Sequence, residues 1–151
     1  MKYTNEIIIN LPLEECIKKL DSSENMKYWQ RGLVNYEHIS GDPGQIGSKM
    51  RLNYKFGKRE MELIETITLN KLPSELHMTY DTKGMHNVQK NSFAKTDEGF
   101  TKWTSENEFL PTSFMLRMMT LLMPSAFKKQ SLQYLKDFKN FAENDVSVQD
   151  L

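Results

Sequence analysis

The chain has 151 residues, a length that suits one domain with a substantial core. Lys plus Arg and Asp plus Glu number 20 each, so the formal net charge is zero and no basic field exists to hold a nucleic-acid backbone. The single cysteine, Cys16, excludes an intramolecular disulfide and a cysteine-rich zinc site, and it is consistent with a reducing compartment.

The hydropathy of the chain predicts a protein of the cytoplasm. Residues 1–6 are mostly polar and precede only the short Ile7-Ile8-Ile9 run, which is unlike the apolar region of a signal peptide. The most apolar run, residues 118–123, is far shorter than the roughly 20 residues that cross a bilayer. We therefore expect a soluble cytoplasmic protein without stable membrane insertion, a monomer or weak dimer, and no cofactor.

The first predicted elements are a strand and a helix. Residues 3–10 alternate in polarity, which predicts a strand with Ile7 and Ile9 facing the core. Pro12 suits the first position of a helix because its missing N–H would be unpaired there in any case. The apolar side of that helix holds Leu13, Cys16, Ile17 and Leu20.

A second, shorter helix follows with Ser23 as its predicted cap. This helix carries Met26 and Trp29 toward the next strand. Large aromatic side chains are more often part of a core than of a binding site, so we interpret Trp29 first as a core anchor.

From Leu33 onward the apolar period changes to two, which predicts a meander of antiparallel strands. The predicted strands are 33–40, 50–56, 61–69, 76–80, 86–94 and 100–109. The Gly41–Gly47 segment resembles a glycine-rich phosphate loop, but such a loop needs a helix after it. Here a strand follows, so we interpret the segment as a turn.

Residues 113–143 are the one place where helical periodicity runs for many turns, with a break expected at Pro124. The first half is apolar nearly all round, so we expect other parts of the chain to cover it on more than one side. The second half is amphipathic, with Asp137 and the lysines on the water face. Its predicted buried face consists of Phe127, Ser131, Tyr134, Leu135, Phe138, Phe141 and Ala142.

This order of elements predicts an α+β domain in which a curved antiparallel sheet and two short N-terminal helices wrap around a long C-terminal helix. It resembles the START-like, or SRPBCC, superfamily of polyketide cyclases, birch pollen allergens and lipid-transfer domains. The resemblance covers nearly all of residues 1–151 and implies a single domain with the helix-grip fold and an internal cavity. The features that carry it are Pro12, Trp29, the Gly41–Gly47 loop, Glu65-Thr66 before Leu72-Pro73, 103–109 and 127–143.

Several polar residues share the parity of the predicted inner face. Glu65 lies between Leu63 and Ile67, and Leu69 continues the same face. The other polar residues on inward parity are Asn87, Asn91, Ser105 and Asn107. They suit either a mostly apolar pocket with a few orienting groups, or a hydrogen-bond network closed within the protein, and a bulge could turn Glu65 outward.

The resemblance implies that the final helix lines the cavity, and four apolar residues of its first half then belong to the wall. Methionine is also a flexible gap-filler of ordinary cores, and from composition alone the core is the more common place for it. The predicted ligand-binding residues are Tyr54, Met61, Tyr80, Trp103, Asn107, Met115, Met118, Met119 and Leu122. His38, His77 and His86 have no metal-ligand spacing, and His77 is predicted to be exposed, so no metal site is expected.

Three functions fit the sequence. The leading one is a non-catalytic carrier or sensor of an apolar small molecule, such as a lipid, an isoprenoid or an aromatic polyketide. The second is a cyclase or dehydratase in which Glu65 is the general acid or base and Tyr54 or Tyr80 orients the substrate. The third is an interaction module like the heat-shock ATPase activators of the superfamily. Glu65 is the one credible catalytic carboxylate, which favours the carrier.

Overall fold

The computed structural model describes residues 1–151. Its strands are β1 (Lys2–Ile9), β2 (Leu33–Ser40), β3 (Lys49–Phe56), β4 (Arg59–Lys71), β5 (Glu75–Thr82), β6 (Met85–Lys95) and β7 (Thr101–Pro111). Its helices are α1 (Leu13–Leu20), α2 (Met26–Trp29), α3 (Phe114–Leu122) and α4 (Pro124–Asn144). Short 3-10 turns occupy Ser23–Asn25 and Val148–Asp150, so the predicted helix start at Ser23 is a 3-10 turn without a side-chain cap.

All seven strands form one antiparallel sheet in the order β1-β7-β6-β5-β4-β3-β2. The meander from β2 to β7 pairs each strand with the next, and β1 returns to pair with β7, where Ile7 lies opposite Trp103. The chain between β1 and β2 therefore crosses the concave face of the sheet, and α1 and α2 cover part of it. The predicted strands, the turn at Gly41–Gly47 and the break at Pro124 are all observed.

Three aromatic rings join the layers at the centre of the core. Trp29 of α2, Trp103 of β7 and the fully buried Phe138 of α4 meet edge to face, with ring centroids 5.3 to 6.5 Å apart. Such contacts add to the area that each ring removes from water. The prediction that Trp29 is a core anchor is confirmed.

Polar contacts fix α4 along the sheet. Arg31 holds Asp137 through two hydrogen bonds of 2.5 and 3.0 Å, and the Asp137 side chain is buried. The prediction that Asp137 faces water is therefore wrong, because a paired and hydrogen-bonded carboxylate can be buried. At the other end of the helix, Asn5 of β1 donates to the carbonyl of Lys128 over 3.2 Å.

The first half of the final helix is not covered as predicted. Ser113 caps α3 by accepting a hydrogen bond from the Leu116 N–H, and Met123 breaks the helix before Pro124 starts α4. Only Thr120 of α3 is buried, whereas Phe114 and Leu122 are 78% and 73% exposed. Neither α3 nor any other helix combines the length and the apolar character needed to cross a membrane.

The contrast between the two helices gives a stability prediction. Phe138→Ala should lower the free energy of unfolding by about 3–5 kcal/mol, because it empties the centre of the aromatic contact. Phe114→Ala makes the same chemical change on exposed α3 and should cost less than about 0.5 kcal/mol. Urea unfolding of both variants measures the difference. Equal losses of unfolding free energy in the two variants would contradict the exposed position of α3.

Candidate functional site

A cavity of about 480 Å³ lies between the concave face of the sheet and the α1–α2 segment, and it is partly open to solvent. The β4 and β5 wall consists of Glu65, Ile67, Asn70, Leu76, Met78 and Tyr80. The β6 and β7 wall consists of Gln89, Asn91, Phe93 and Trp103. Opposite them stand Leu20, Met26, Trp29 and Gln30, and the loops 21–23 and 43–44 border one end. No residue of α3 or α4 lines this space, so the predicted position of the cavity against the final helix is wrong.

A β-bulge in β4 changes which side chains enter the cavity. Ile67 pairs with Met78, but Leu69 pairs with His77, so Thr68 is the extra residue. The bulge reverses the parity beyond it. Leu69 therefore leaves the inner face, contrary to the prediction, and Asn70 enters the wall, where its amide donates to the Gly44 carbonyl over 2.6 Å.

Glu65 is the carboxyl group that the sheet contributes to the cavity wall, and Asp21 lies in the loop at one end. Glu65 lies before the bulge and keeps its inward parity, opposite Met50 on one neighbouring strand and Tyr80 on the other. Protein surrounds the carboxyl group, and its remaining contact with water is through the cavity itself. Burial raises the pKa of Glu65 by disfavouring the carboxylate, and a hydrogen bond from Tyr80 offsets part of that rise. No cationic side chain lines the cavity beside it.

A chain of polar side chains runs from the cavity into the sheet. The Trp103 indole donates to Asn91 over 2.9 Å, Asn91 donates to Gln89 over 3.1 Å, and Gln89 donates to Asn107 over 3.3 Å. Asn107 donates to Ser105 over 3.2 Å. Asn91 and Gln89 each act once as donor and once as acceptor, and Asn107 accepts a second hydrogen bond from Asn87 over 3.4 Å. The asparagines are therefore satisfied within the protein, as a buried polar group needs to be.

Trp29 is the exception to this satisfaction. Its Nε1 is the one buried side-chain nitrogen or oxygen in the structure without a hydrogen-bond partner. Trp29 also lines the cavity. A buried donor without a partner is costly.

The structure places the predicted site residues in four different surroundings. Tyr80 and Trp103 line the cavity. Tyr54 and Met61 lie beside it in a second apolar cluster, where the Tyr54 hydroxyl donates to Gln30 over 2.5 Å. Asn107 is buried one step behind Gln89. The predicted place in the cavity wall is wrong for Met115, Met118, Met119 and Leu122, which lie on the surface.

Sequence reasoning also missed wall residues. Gln89 lies between Asn87 and Asn91 on the same parity, so the alternation already contained the signal for it. The α1–α2 segment could not be placed from its pattern, because the pattern does not say which part of the sheet it covers.

His38 lines the cavity, His77 is half-buried on the outer face, and His86 contacts Asp81 over 2.5 Å. No cluster of three His, Cys, Asp or Glu side chains could hold a metal ion.

No protein-family model and no curated protein matches the sequence. Solved structures match over nearly the whole chain. The Zhui aromatase/cyclase from Streptomyces sp. R1128 superposes with a TM-score of 0.78, covering 99% of this chain and 97% of its own at 11% identity. Ara h 8.0201 gives a TM-score of 0.74, with 94% and 97% covered at 13% identity. A Staphylococcus aureus protein of unknown function gives 0.77, with 96% and 94% covered at 11% identity.

These likenesses establish the architecture. The chain has the α+β helix-grip fold that the resemblance to the START-like superfamily implied, and that prediction is confirmed. At 11% to 13% identity the comparison concerns the fold, because one fold carries many functions.

The raised pKa of Glu65 predicts how stability depends on pH. The folded protein holds the Glu65 proton more tightly than the unfolded chain, whose carboxyl has the ordinary value of 4.5. The stabilisation is thus complete below pH 4.5 and is lost as pH rises through the folded pKa. In thermal unfolding, the melting temperature of Glu65→Gln should rise relative to that of wild type as pH rises from 4.5.

The exposed Glu60 on the same strand provides the control, since Glu60→Gln also removes one carboxylate. The difference between wild type and Glu60→Gln should lack the upward trend that Glu65→Gln shows. A Glu65→Gln difference that stays constant across the pH range would place Glu65 in a water-like environment.

Proposed function

We propose that the protein binds an apolar small molecule that carries at least one oxygen atom, in the cavity between the sheet and the α1–α2 segment. The cavity volume of about 480 Å³ falls within the usual range for small-molecule sites. Aliphatic, methionine and aromatic side chains form much of its wall. The observation that supports the proposal best is a carboxyl group with a raised pKa in the wall of a largely apolar space, beside a tryptophan whose buried indole N–H has no partner.

These two groups favour an oxygenated ligand over a hydrocarbon. A protonated Glu65 donates one hydrogen bond and accepts others, and the Trp29 indole only donates. A ligand hydroxyl or carbonyl oxygen could accept from either group. Among the other polar wall residues, Gln89 and Asn91 bond to one another and Asn70 bonds to the Gly44 carbonyl, so these three offer less to a ligand.

Acid–base catalysis at Glu65 is the second candidate function. Its raised pKa and its neighbour Tyr80 suit proton transfer to a bound carbonyl compound. In the dehydration of a β-hydroxy ketone, the Glu65 carboxylate would take the α-proton, and the resulting acid would return it to the departing hydroxyl as water. Conversion of such a ketone by wild type but not by Glu65→Gln would support catalysis, and no conversion would leave binding as the function.

A matched pair of probes tests the binding proposal. 1-Naphthol and naphthalene share their rings and differ by one hydroxyl, so one hydrogen bond should make 1-naphthol bind about tenfold more tightly. Glu65→Leu should lower that ratio, whereas Glu65→Gln should retain part of it because an amide still hydrogen-bonds. Isothermal titration calorimetry measures both affinities.

Filling the cavity tests where the probe binds. Met78→Trp replaces a flexible thioether in the wall by a bulky indole ring and should abolish binding of both probes. Val34→Trp adds the same ring at an exposed position outside the cavity and should leave binding unchanged. Unchanged binding in Met78→Trp, with its fold intact by circular dichroism, would refute this site.

A further inference from the structure

Helix α3 presents most of its apolar side chains to solvent. Phe114 is 78% exposed, Met115 and Leu122 are 73% exposed, and Leu121 is 70% exposed. We call the α3 apolar surface the set Phe114, Met115, Met118, Met119, Leu121, Leu122 and Met123, all of them exposed. Contiguous apolar patches on a protein surface mark interaction sites more often than scattered single residues do.

The protein itself uses little of this helix. Thr120 is buried and donates to the Arg117 carbonyl over 2.8 Å, and Leu116 is half-buried beside Gly84 in the turn between β5 and β6. The Thr112 N–H also bonds to the Gly84 carbonyl over 2.8 Å, which fixes where α3 begins. α3 is therefore anchored along one narrow side while its other sides remain free.

The segment of chain that contains α3 carries charge of one sign. Residues 109–136 contain Arg117, Lys128, Lys129 and Lys136 and no acidic residue, although the whole chain has zero net charge. All four cations are exposed, and none forms a salt bridge. The turns that lie at the same end of the sheet add Lys58 and Lys83. An apolar helix flanked by cations without salt-bridge partners is complementary to a surface that combines negative charge with an apolar layer.

We propose that α3 docks the protein on the surface of an anionic lipid bilayer. A helix that is apolar on several sides fits a lipid interface, which contacts it from more than one direction, better than a flat protein face. The basic residues would lie at the headgroups, where each contributes to attraction. α3 would lie in the interface without crossing it, in agreement with the absence of a membrane-spanning helix.

A second copy of the chain fits this surface less well. In a two-fold dimer the same patch faces itself, so the cations of residues 109–136 would approach their own counterparts. No acidic residue of this segment could pair with them. The inference is independent of the proposed ligand, because none of the α3 residues lines the cavity.

Flotation with lipid vesicles tests the proposal on the full chain. Wild type should float with phosphatidylcholine vesicles that contain phosphatidylserine, and bind vesicles of phosphatidylcholine alone at least tenfold more weakly. The double variant Met115→Gln/Leu122→Gln should lose more than about tenfold in affinity. Both side chains are largely exposed, so folding should be unaffected. Lys128→Gln and Lys129→Gln should each cost about fivefold at low salt.

The matched control is Val34→Gln/Ile46→Gln, which replaces two apolar residues of similar exposure on β2 and the loop after it. It should bind vesicles like wild type. Equal loss in both double variants, equal binding to neutral and anionic vesicles, or no flotation of wild type would each overturn the proposal. Dimerisation in sedimentation velocity that Met115→Gln/Leu122→Gln abolishes, without vesicle binding, would assign the surface to a second copy.

Discussion

The edge-to-face contact of Trp29, Trp103 and Phe138 is the constraint on which the rest of the structure depends. Each ring comes from a different part of the chain, so the contact joins α2, β7 and α4 at one point. The contact fixes the height of α4 above the sheet and the place where the α1–α2 segment crosses it. The cavity is the space left beside this contact, so its dimensions follow from the packing of the core.

The polar side chains on the inner face of the sheet are of two kinds. The series of side-chain hydrogen bonds that begins at Trp103 and ends at Ser105 is satisfied entirely within the protein. Two other groups stand apart: burial raises the pKa of the Glu65 carboxyl group, and the Trp29 indole N–H lacks a hydrogen-bond partner. In a core, incomplete polar groups destabilise the fold, and in a cavity they define what a guest must offer. This difference distinguishes the candidate site from the network behind it.

Much of this architecture could be predicted from sequence because its signals are local. Alternating polarity gave the strands and placed Glu65 inward, and Pro124 gave the helix break. The errors arose where residues distant in sequence determine whether a side chain is buried. Asp137 is buried because of Arg31, which is 106 positions away. Leu69 faces outward because one extra residue shifts the register, and α3 is exposed because nothing else in the chain reaches it. Periodicity records which sides of an element are apolar but not what meets them.

The position of the indoles has an optical consequence. The chain contains two tryptophans, and both Trp29 and Trp103 line the cavity while their rings touch edge to face. All of the protein's indole emission therefore originates at the cavity wall. A guest that displaces water there changes the polarity around both emitters at once, and an acceptor at the Trp29 N–H changes one of them selectively. Unlabelled protein is thus its own spectroscopic reporter of cavity occupancy.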